Sequence, residues 1–140
     1  MVAGAAAAGI CLLEFSDRRM IEAQFDRIRR RFPVPIIPGD CDHMRQLRTE
    51  LNEYFAGERR EFTVPLLYPG TPFEREVWDR LLEIPCGETR SYQDIARALD
   101  QPGAARAVGR ANGMNRIAIL IPCHRVVNQN GELGLSLIHI

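Results

Sequence analysis

The spacing of apolar positions changes along the chain, and each change predicts an element. Residues 9–15 form a short apolar run, a strand candidate. Ser16 or Asp17 is placed to cap the helix that follows. In that helix Ile21, Phe25, Ile28 and Phe32 recur at i, i+4, i+7 and i+11, one face of a 3.6-residue period. Arg29, Arg30 and Arg31 crowd its last turn, where positive charge complements the helix dipole, so they read as a solvated helix end. Pro33, Pro35 and Pro38-Gly39 make a connector. A second helix is predicted over 42–56, with Met44, Leu47, Leu51, Tyr54 and Phe55 on its apolar face and Gly57 as its stop. Residues 62–68 read as an edge strand, because Pro65 has no N–H for a ladder.

After Pro69-Gly70 the pattern becomes helical. Thr71-Pro-Phe-Glu74 is a capping box with proline at the first helical position, and Phe73, Val77, Leu81 and Ile84 fall on one face beside Trp78. Pro85-Cys-Gly87 breaks that helix. Ser91-Tyr-Gln-Asp94 is a second capping box, opening a short helix with Ile95, Ala96 and Leu99 inward. A turn at 100–103 leads to a third helix over about 104–112. Two short helices joined by a glycine-containing turn predict a helix-turn-helix. The second of the pair is built from Ala104, Ala105, Ala107, Gly109, Ala111 and Gly113 and lacks the long polar side chains that read a major groove. Two readings fit: close approach to a minor groove, or close helix–helix packing. Residues 117–121 then form an unbroken apolar run, predicted as a strand buried on both faces and ended by Pro122.

Composition narrows the picture. At 140 residues with 46% hydrophobic content, the chain has enough apolar side chains for a packed core, as one domain or two small ones. Cys11, Cys41, Cys86 and Cys123 stand far apart without a CxxC, which is neither a disulfide framework nor a zinc signature. Cys41 and His43 give two possible metal ligands, too few for a site, and no metal is expected. Residues 1–10 lack a basic segment and a long apolar stretch, so neither a signal peptide nor a membrane span is expected and a reducing cytoplasm fits best. Every basic residue is arginine. The net charge is zero, yet Arg90, Arg97, Arg106, Arg110, Arg116 and Arg125 face only Asp94 and Asp100 over residues 90–125. That local excess is either a nucleic-acid footprint or a solvated helix face.

Cys123 concentrates the candidate chemistry. A free thiol titrates near about 8.5, so only a few per cent is thiolate at pH 7. Lowering its pKa by about two units is worth roughly 2.7 kcal/mol. His124 and Arg125, adjacent to it, are groups that favour a thiolate. A buried structural cysteine is the alternative.

The stretch Ile-Pro-Cys123-His-Arg-Val-Val resembles the active-site signature of the O6-alkylguanine-DNA alkyltransferases. Pro72-Phe73, Val77-Trp78, Ile84-Pro85, Gly87-Glu88-Thr89, Ser91-Tyr92, residues 105–109, Asn115 and residues 119–127 stand in the family's order and spacing. The likeness is strong over 71–134 and weaker over 9–67. It implies an α/β chain: a small, partial α/β N-terminal domain at 1–68, short at its start because no opening strand finds a place in residues 1–8, and a mainly helical, winged-helix-like domain with the helix-turn-helix at 71–140.

The resemblance also implies roles. Cys123 is the nucleophile and methyl acceptor, His124 its base through a water, and Asn115 an orienting residue. Arg106 intercalates and Tyr92 rotates the nucleotide, with Ser91, Ala105 and Gly109 at the DNA. Pro122 and Val126 line the base pocket. No cofactor is implied. The partner is double-stranded DNA carrying O6-alkylguanine, gripped through the minor groove with little sequence readout by a monomer. After Gly134 the sequence leaves the family pattern: Ser136 stands where a tyrosine is expected, and nothing stands for the glutamate that polarises the histidine. A truncated or foreign end and impaired activity are expected from this. The alternatives are a lesion-binding module that transfers nothing, and part of an adaptive-response transcription regulator.

Overall fold

The computed structural model describes residues 1–14, 21–31, 39–68 and 70–128, and the chain divides into two compact units, Met1–Pro69 and Gly70–Ile140. The first begins with β1 (Val2–Ala6) and β2 (Gly9–Glu14), an antiparallel hairpin in which Val2 faces Glu14 and Ala6 faces Gly9. This corrects the expectation that residues 1–8 hold no strand. Alanine and glycine have weak strand preference of their own, but β2 is buried along its whole length and takes small residues beside it. A Cβ on Gly4 would stand 3.3 Å from the Leu12 Cβ.

On its other side β2 meets the 62–68 segment in a single parallel bridge. The Ile10 N–H donates to the Pro65 carbonyl and the Leu67 N–H to the Ile10 carbonyl, each at 2.8 Å. The predicted edge strand thus reduces to one bridge at Leu66, because Pro65 can accept but not donate.

Helix α1 (Ile21–Arg31) buries Ile28 and half-buries Phe25, while the Ser16/Asp17 cap, Phe32 and the proline connector lie outside the described residues. In α2 (Asp42–Phe55) Leu47 is buried and Met44, Leu51 and Tyr54 are half-buried. Phe55 does not share that face: it is 63% exposed. Eight residues from Leu47 is more than two full turns, so Phe55 has rotated past the stripe that Tyr54 still occupies. Gly57 ends the helix at φ +78°, a conformation glycine adopts without steric cost.

One stripe position is taken by Glu50, which is buried. Its carboxylate accepts from the Thr63 N–H at 2.5 Å and the Val64 N–H at 3.2 Å, with Gln46 Nε2 at 3.2 Å. It satisfies backbone donors of a segment that has almost no ladder. His43 Nε2 lies 3.0 Å from the Ala7 carbonyl, tying α2 to the hairpin turn.

In the second unit α3 (Pro72–Leu82) starts on the expected capping box. Thr71 Oγ1 accepts from the Glu74 N–H, and Glu74 accepts from the Thr71 N–H. Val77, Trp78, Leu81 and Ile84 are buried, and the Trp78 indole N–H donates to the Ala111 carbonyl at 2.9 Å. β3 (Arg90–Ser91) runs into α4 (Tyr92–Ala98), whose capping box pairs Ser91 with Asp94. The turn after α4 is a Schellman closure: Gln101 N–H donates to the Ala96 carbonyl while Asp100 takes φ +56°. Then come α5 (Ala105–Gly113), one residue later than predicted, and β4 (Val126–Val127). Among the described residues no helix is long and apolar enough to cross a membrane.

Gly9→Ala is expected to destabilise the first unit. The added Cβ would lie 2.5 Å from the Pro65 carbonyl oxygen, so backbone must move, at about 1–3 kcal/mol. A urea-denaturation midpoint no lower than that of the unsubstituted chain would contradict this reading of the β2–Leu66 contact.

Candidate active site

The apolar run at 117–121 is buried except at half-buried Ile119, but it is not the strand its composition suggested. Ile117 makes one bridge and residues 118–120 are turns. Asn115 explains the difference. Its Nδ2 donates to the Ile121 carbonyl at 2.9 Å and to the Ile117 carbonyl at 3.4 Å, while its Oδ1 accepts from the Ile117 N–H at 3.0 Å. One buried amide thus meets three backbone groups of the run. The run folds on itself, with the Ile121 N–H reaching the Ile117 carbonyl at 3.0 Å and the Leu120 N–H the Ala118 carbonyl at 2.8 Å. Ile119, between the last two, sits at φ +71°. That is a γ-turn of the strained hand, about 1–3 kcal/mol above relaxed backbone for a β-branched residue.

A relaxed γ-turn follows. Pro122 has φ −81° and ψ 66°, and the Cys123 N–H closes on the Ile121 carbonyl at 2.8 Å. Cys123, His124 and Arg125 form a single 3-10 turn, with Cys123 8% exposed. Arg125 Nη1 donates to the Ile84 carbonyl at 2.7 Å, fastening this turn to the end of α3. Val126 and Val127 then pair in parallel with Arg90 and Ser91.

That two-residue pairing carries β3 and the start of α4 to the cysteine turn. The Tyr92 phenol titrates above its ordinary range, chiefly through burial, with the charge of Cys123 adding to it and the Asn112 amide opposing it. The pairing of Ser91 with Val127 sets Tyr92 beside the segment that follows the cysteine turn. A Cβ on Gly109 would stand 3.9 Å from two carbons of the Tyr92 ring, so the ring lies along α5 at that position.

Helix α5 divides cleanly. Val108, Ala111 and Asn112 are buried, with Asn115 beyond them, whereas Arg106, Arg110 and Gly113 are exposed and Ala105 is half-buried. Its first turn carries no acidic residue. The small residues thus serve packing on one side, at Ala111 under Trp78, and leave two arginines on the other.

The structure brings Cys123, Pro122, Val126, Ser91, Tyr92, Gly109 and Asn115 together. Arg106 stands at the opposite end of α5 from Asn115, exposed. Asn112 was missed by sequence reasoning, although it is the one polar residue in the helix's buried i, i+3, i+4 stripe. Its Nδ2 lies 3.4 Å from the Cys123 carbonyl.

Three of the six arginines counted as a basic patch are engaged by the protein itself. Arg116 is buried, its guanidinium 5.9 Å from the Trp78 ring centroid. Arg125 is spent on Ile84, and Arg90 is paired with Glu88 at 3.4 Å. Arg97, Arg106 and Arg110 remain exposed.

Burial, and the like charge of Arg125 beside it, hold the His124 imidazole below its ordinary value of 6.5. The ring is therefore neutral at pH 7 and able to accept a proton.

The chain is similar to proteins of one family. Residues 2–68 match the ribonuclease-like domain of 6-O-methylguanine DNA methyltransferase, and residues 72–137 its DNA-binding domain. The inducible methylated-DNA–protein-cysteine methyltransferase of Bacillus subtilis is 45% identical over 118 residues, covering 84% of this chain and 66% of that protein. The Mycobacterium tuberculosis protein of the same name is 60% identical over 84 residues, covering 60% of this chain and 51% of its own length. The chain thus spans between half and two-thirds of these relatives. A crystal structure of M. tuberculosis O6-methylguanine methyltransferase superposes with a TM-score of 0.80 at 39% identity, covering 97% of this chain and 76% of that one. A second, in complex with DNA, gives 0.77 at 40% identity over 93% and 73%.

The depressed His124 fixes a pH dependence. The unfolded chain binds the proton more readily than the folded one, so the stability this residue contributes is complete above about 6.5 and is lost as pH falls below it. The urea midpoint is expected to drop between pH 7 and pH 5, and His124→Gln to flatten part of that slope. An unchanged slope in the variant would contradict the buried neutral ring.

Proposed function

The chain belongs to the 6-O-methylguanine DNA methyltransferase family, and from that premise we propose that it repairs duplex DNA by moving an alkyl group from O6 of guanine to its own Cys123. The observation that carries the reading is the convergence of the cysteine turn, the Tyr92 ring and α5 through the β3–β4 pair, the Asn112 contact to the Cys123 carbonyl and the Asn115 turn. A strained, multiply anchored turn holding a buried sulfur beside an exposed arginine helix fits a nucleophile that waits for an extruded base.

A guanine inside the duplex cannot reach that sulfur, so the nucleotide must be flipped, at a few kcal/mol for unstacking and unpairing. Arg106, exposed in the first turn of α5, fills the gap in the stack. Tyr92, with Ser91 at the same helix start, turns the nucleotide, and Ala105 and Gly109 allow the helix to approach the minor groove closely. Pro122 and Val126 bound the space for the base. His124 takes the thiol proton through a water, and Asn115 keeps the turn in its reactive shape.

The thiolate sulfur forms a bond to the alkyl carbon as the carbon–O6 bond breaks. The electron pair stays on guanine, which takes up the proton the thiol lost. The product is a thioether, a poor leaving group, so each molecule acts once, and no cofactor takes part. Exposed Arg97, Arg106 and Arg110 supply a salt-sensitive grip on phosphates without sequence preference. The chain works as a monomer, and its four cysteines, none of them in a disulfide, fit the reducing cytoplasm.

Incubation with duplex DNA containing O6-methylguanine is expected to add one methylene to the intact mass, located at Cys123 by peptide mapping. Cys123→Ala is expected to abolish the gain while sparing binding. Lesion-selective binding with no gain in the unsubstituted chain would move the reading to a recognition module.

Arg106→Ala is expected to slow transfer from duplex by about tenfold or more while slowing transfer from a single-stranded oligonucleotide far less, since only the duplex requires unstacking. Equal losses on both substrates would remove Arg106 from the flipping step.

A further inference from the structure

We propose that Arg125 is a positioning residue that latches the cysteine turn to the end of α3, so that the Cys123 sulfur keeps one direction of attack. The inference rests on the reading of Cys123 as the acceptor. Arg125 is half-buried, and its Nη1 donates to the Ile84 carbonyl at 2.7 Å across 41 positions of sequence. Ile84 is 3% exposed, lies two residues beyond α3 and is followed by Pro85. Carbonyls at the C-terminal end of a helix lack intrahelical donors and carry partial negative charge, so a cation with N–H groups meets both needs. A bond from an ionised donor is also shorter and stronger than a neutral one.

The latch works together with the strand pair. Val126 pairs with Arg90 and Val127 with Ser91. Residues 125–127 therefore grip the 84–91 segment at both its ends. Between the grips that segment closes on itself, with the Glu88 N–H donating to the Pro85 carbonyl at 3.1 Å and Gly87 at φ +87°. The cysteine turn is anchored upstream by Asn115 on Ile121 and by its own Cys123 N–H on the Ile121 carbonyl. Downstream, the Arg125 N–H closes the turn on the Pro122 carbonyl at 3.0 Å, and the Arg125 side chain ties that end to α3. Cys123 stands between the two anchors. Transfer needs the sulfur in line with the bond that breaks, and a small misplacement of a reacting atom costs rate heavily.

The test compares the unsubstituted chain with Arg125→Met, which keeps an apolar stem and removes every donor. Alkylation of Cys123 by iodoacetamide is followed by peptide mass spectrometry, which separates it from Cys11, Cys41 and Cys86. Amide hydrogen exchange is mapped over the second unit. Single-turnover transfer is measured at saturating methylated duplex, alongside the dissociation constant for that DNA. In Arg125→Met the alkylation of Cys123 is expected to run about fivefold faster, because a buried sulfur opens more often. Exchange is expected to quicken at 84–91 and 122–127 and to stay as it was through α3 and α5. Transfer is expected to slow about tenfold, with the dissociation constant held within about twofold.

The opposite signs of the two rates identify a latch. An arginine that acted only through its charge on a thiolate would lower both rates together, and a bystander would move neither; either result would overturn the proposal. Should methionine quicken exchange evenly through α3 and α5, Arg125→Gln is judged by the same four readings, and even quickening in both variants would replace the latch with a general stabilising role. If the unsubstituted chain transfers nothing while alkylation and local exchange rise in the variant, the latch stands and the functional reading falls. If the unsubstituted chain transfers and the variant transfers as fast, the latch falls and the functional reading stands.

Discussion

The site depends on one buried amide. Asn115 uses donor and acceptor together on Ile117 and Ile121, and that closes a five-residue apolar run into a knot of turns. Without such a partner the carbonyls and N–H groups of 117–121 would need a strand on either side, because a buried backbone group left unpaired costs about as much as a lost hydrogen bond. The closure also forces Ile119 to φ +71°. A β-branched residue there stores strain of about 1–3 kcal/mol, which persists only where the surroundings over-determine it. The surroundings do: Ile117, Ala118, Leu120 and Ile121 are all buried. The cysteine that follows inherits a fixed position from this over-determined turn.

Arginine plays two parts. Arg116 over Trp78 and Arg125 on the Ile84 carbonyl are held inside the domain, where each charged group meets a ring face or a carbonyl dipole. They stabilise the frame around Cys123 and reduce the charge offered outward. The field for a polyanion then comes from Arg97, Arg106 and Arg110, and the last two stand on one face of α5 with no acid in its first turn. A neutral chain can therefore present a basic face where exposed arginines gather on a helix that carries no acid in its first turn.

The first unit satisfies its polar groups in a comparable way. Its 62–68 segment makes a single bridge to β2, and Glu50 supplies acceptors for the Thr63 and Val64 N–H groups. There, as at Asn115, a buried polar side chain stands in for a missing strand. Both were invisible to a reading of periodicity, which treats a polar residue inside an apolar stripe as an exception instead of a partner.

Local chemistry decided much from the sequence alone. Both capping boxes, the proline-started helix α3, the glycine stop after α2 and the three-helix order of the second unit follow from short-range rules, since caps and turn residues act within four positions. The candidate site's cysteine, tyrosine and asparagine were also legible, through motif spacing. Tertiary structure decided the rest. Residues 2–6 became a strand because β2 needed a small-residue neighbour, not because alanine prefers one. Residues 117–121 became turns because a side chain satisfied their backbone. Arg116 went inward, and Asn112 came within 3.4 Å of the Cys123 carbonyl. In each case the partner lies outside the local window, and a hydrogen bond or a buried contact between distant segments outweighs what the neighbouring residues alone prefer.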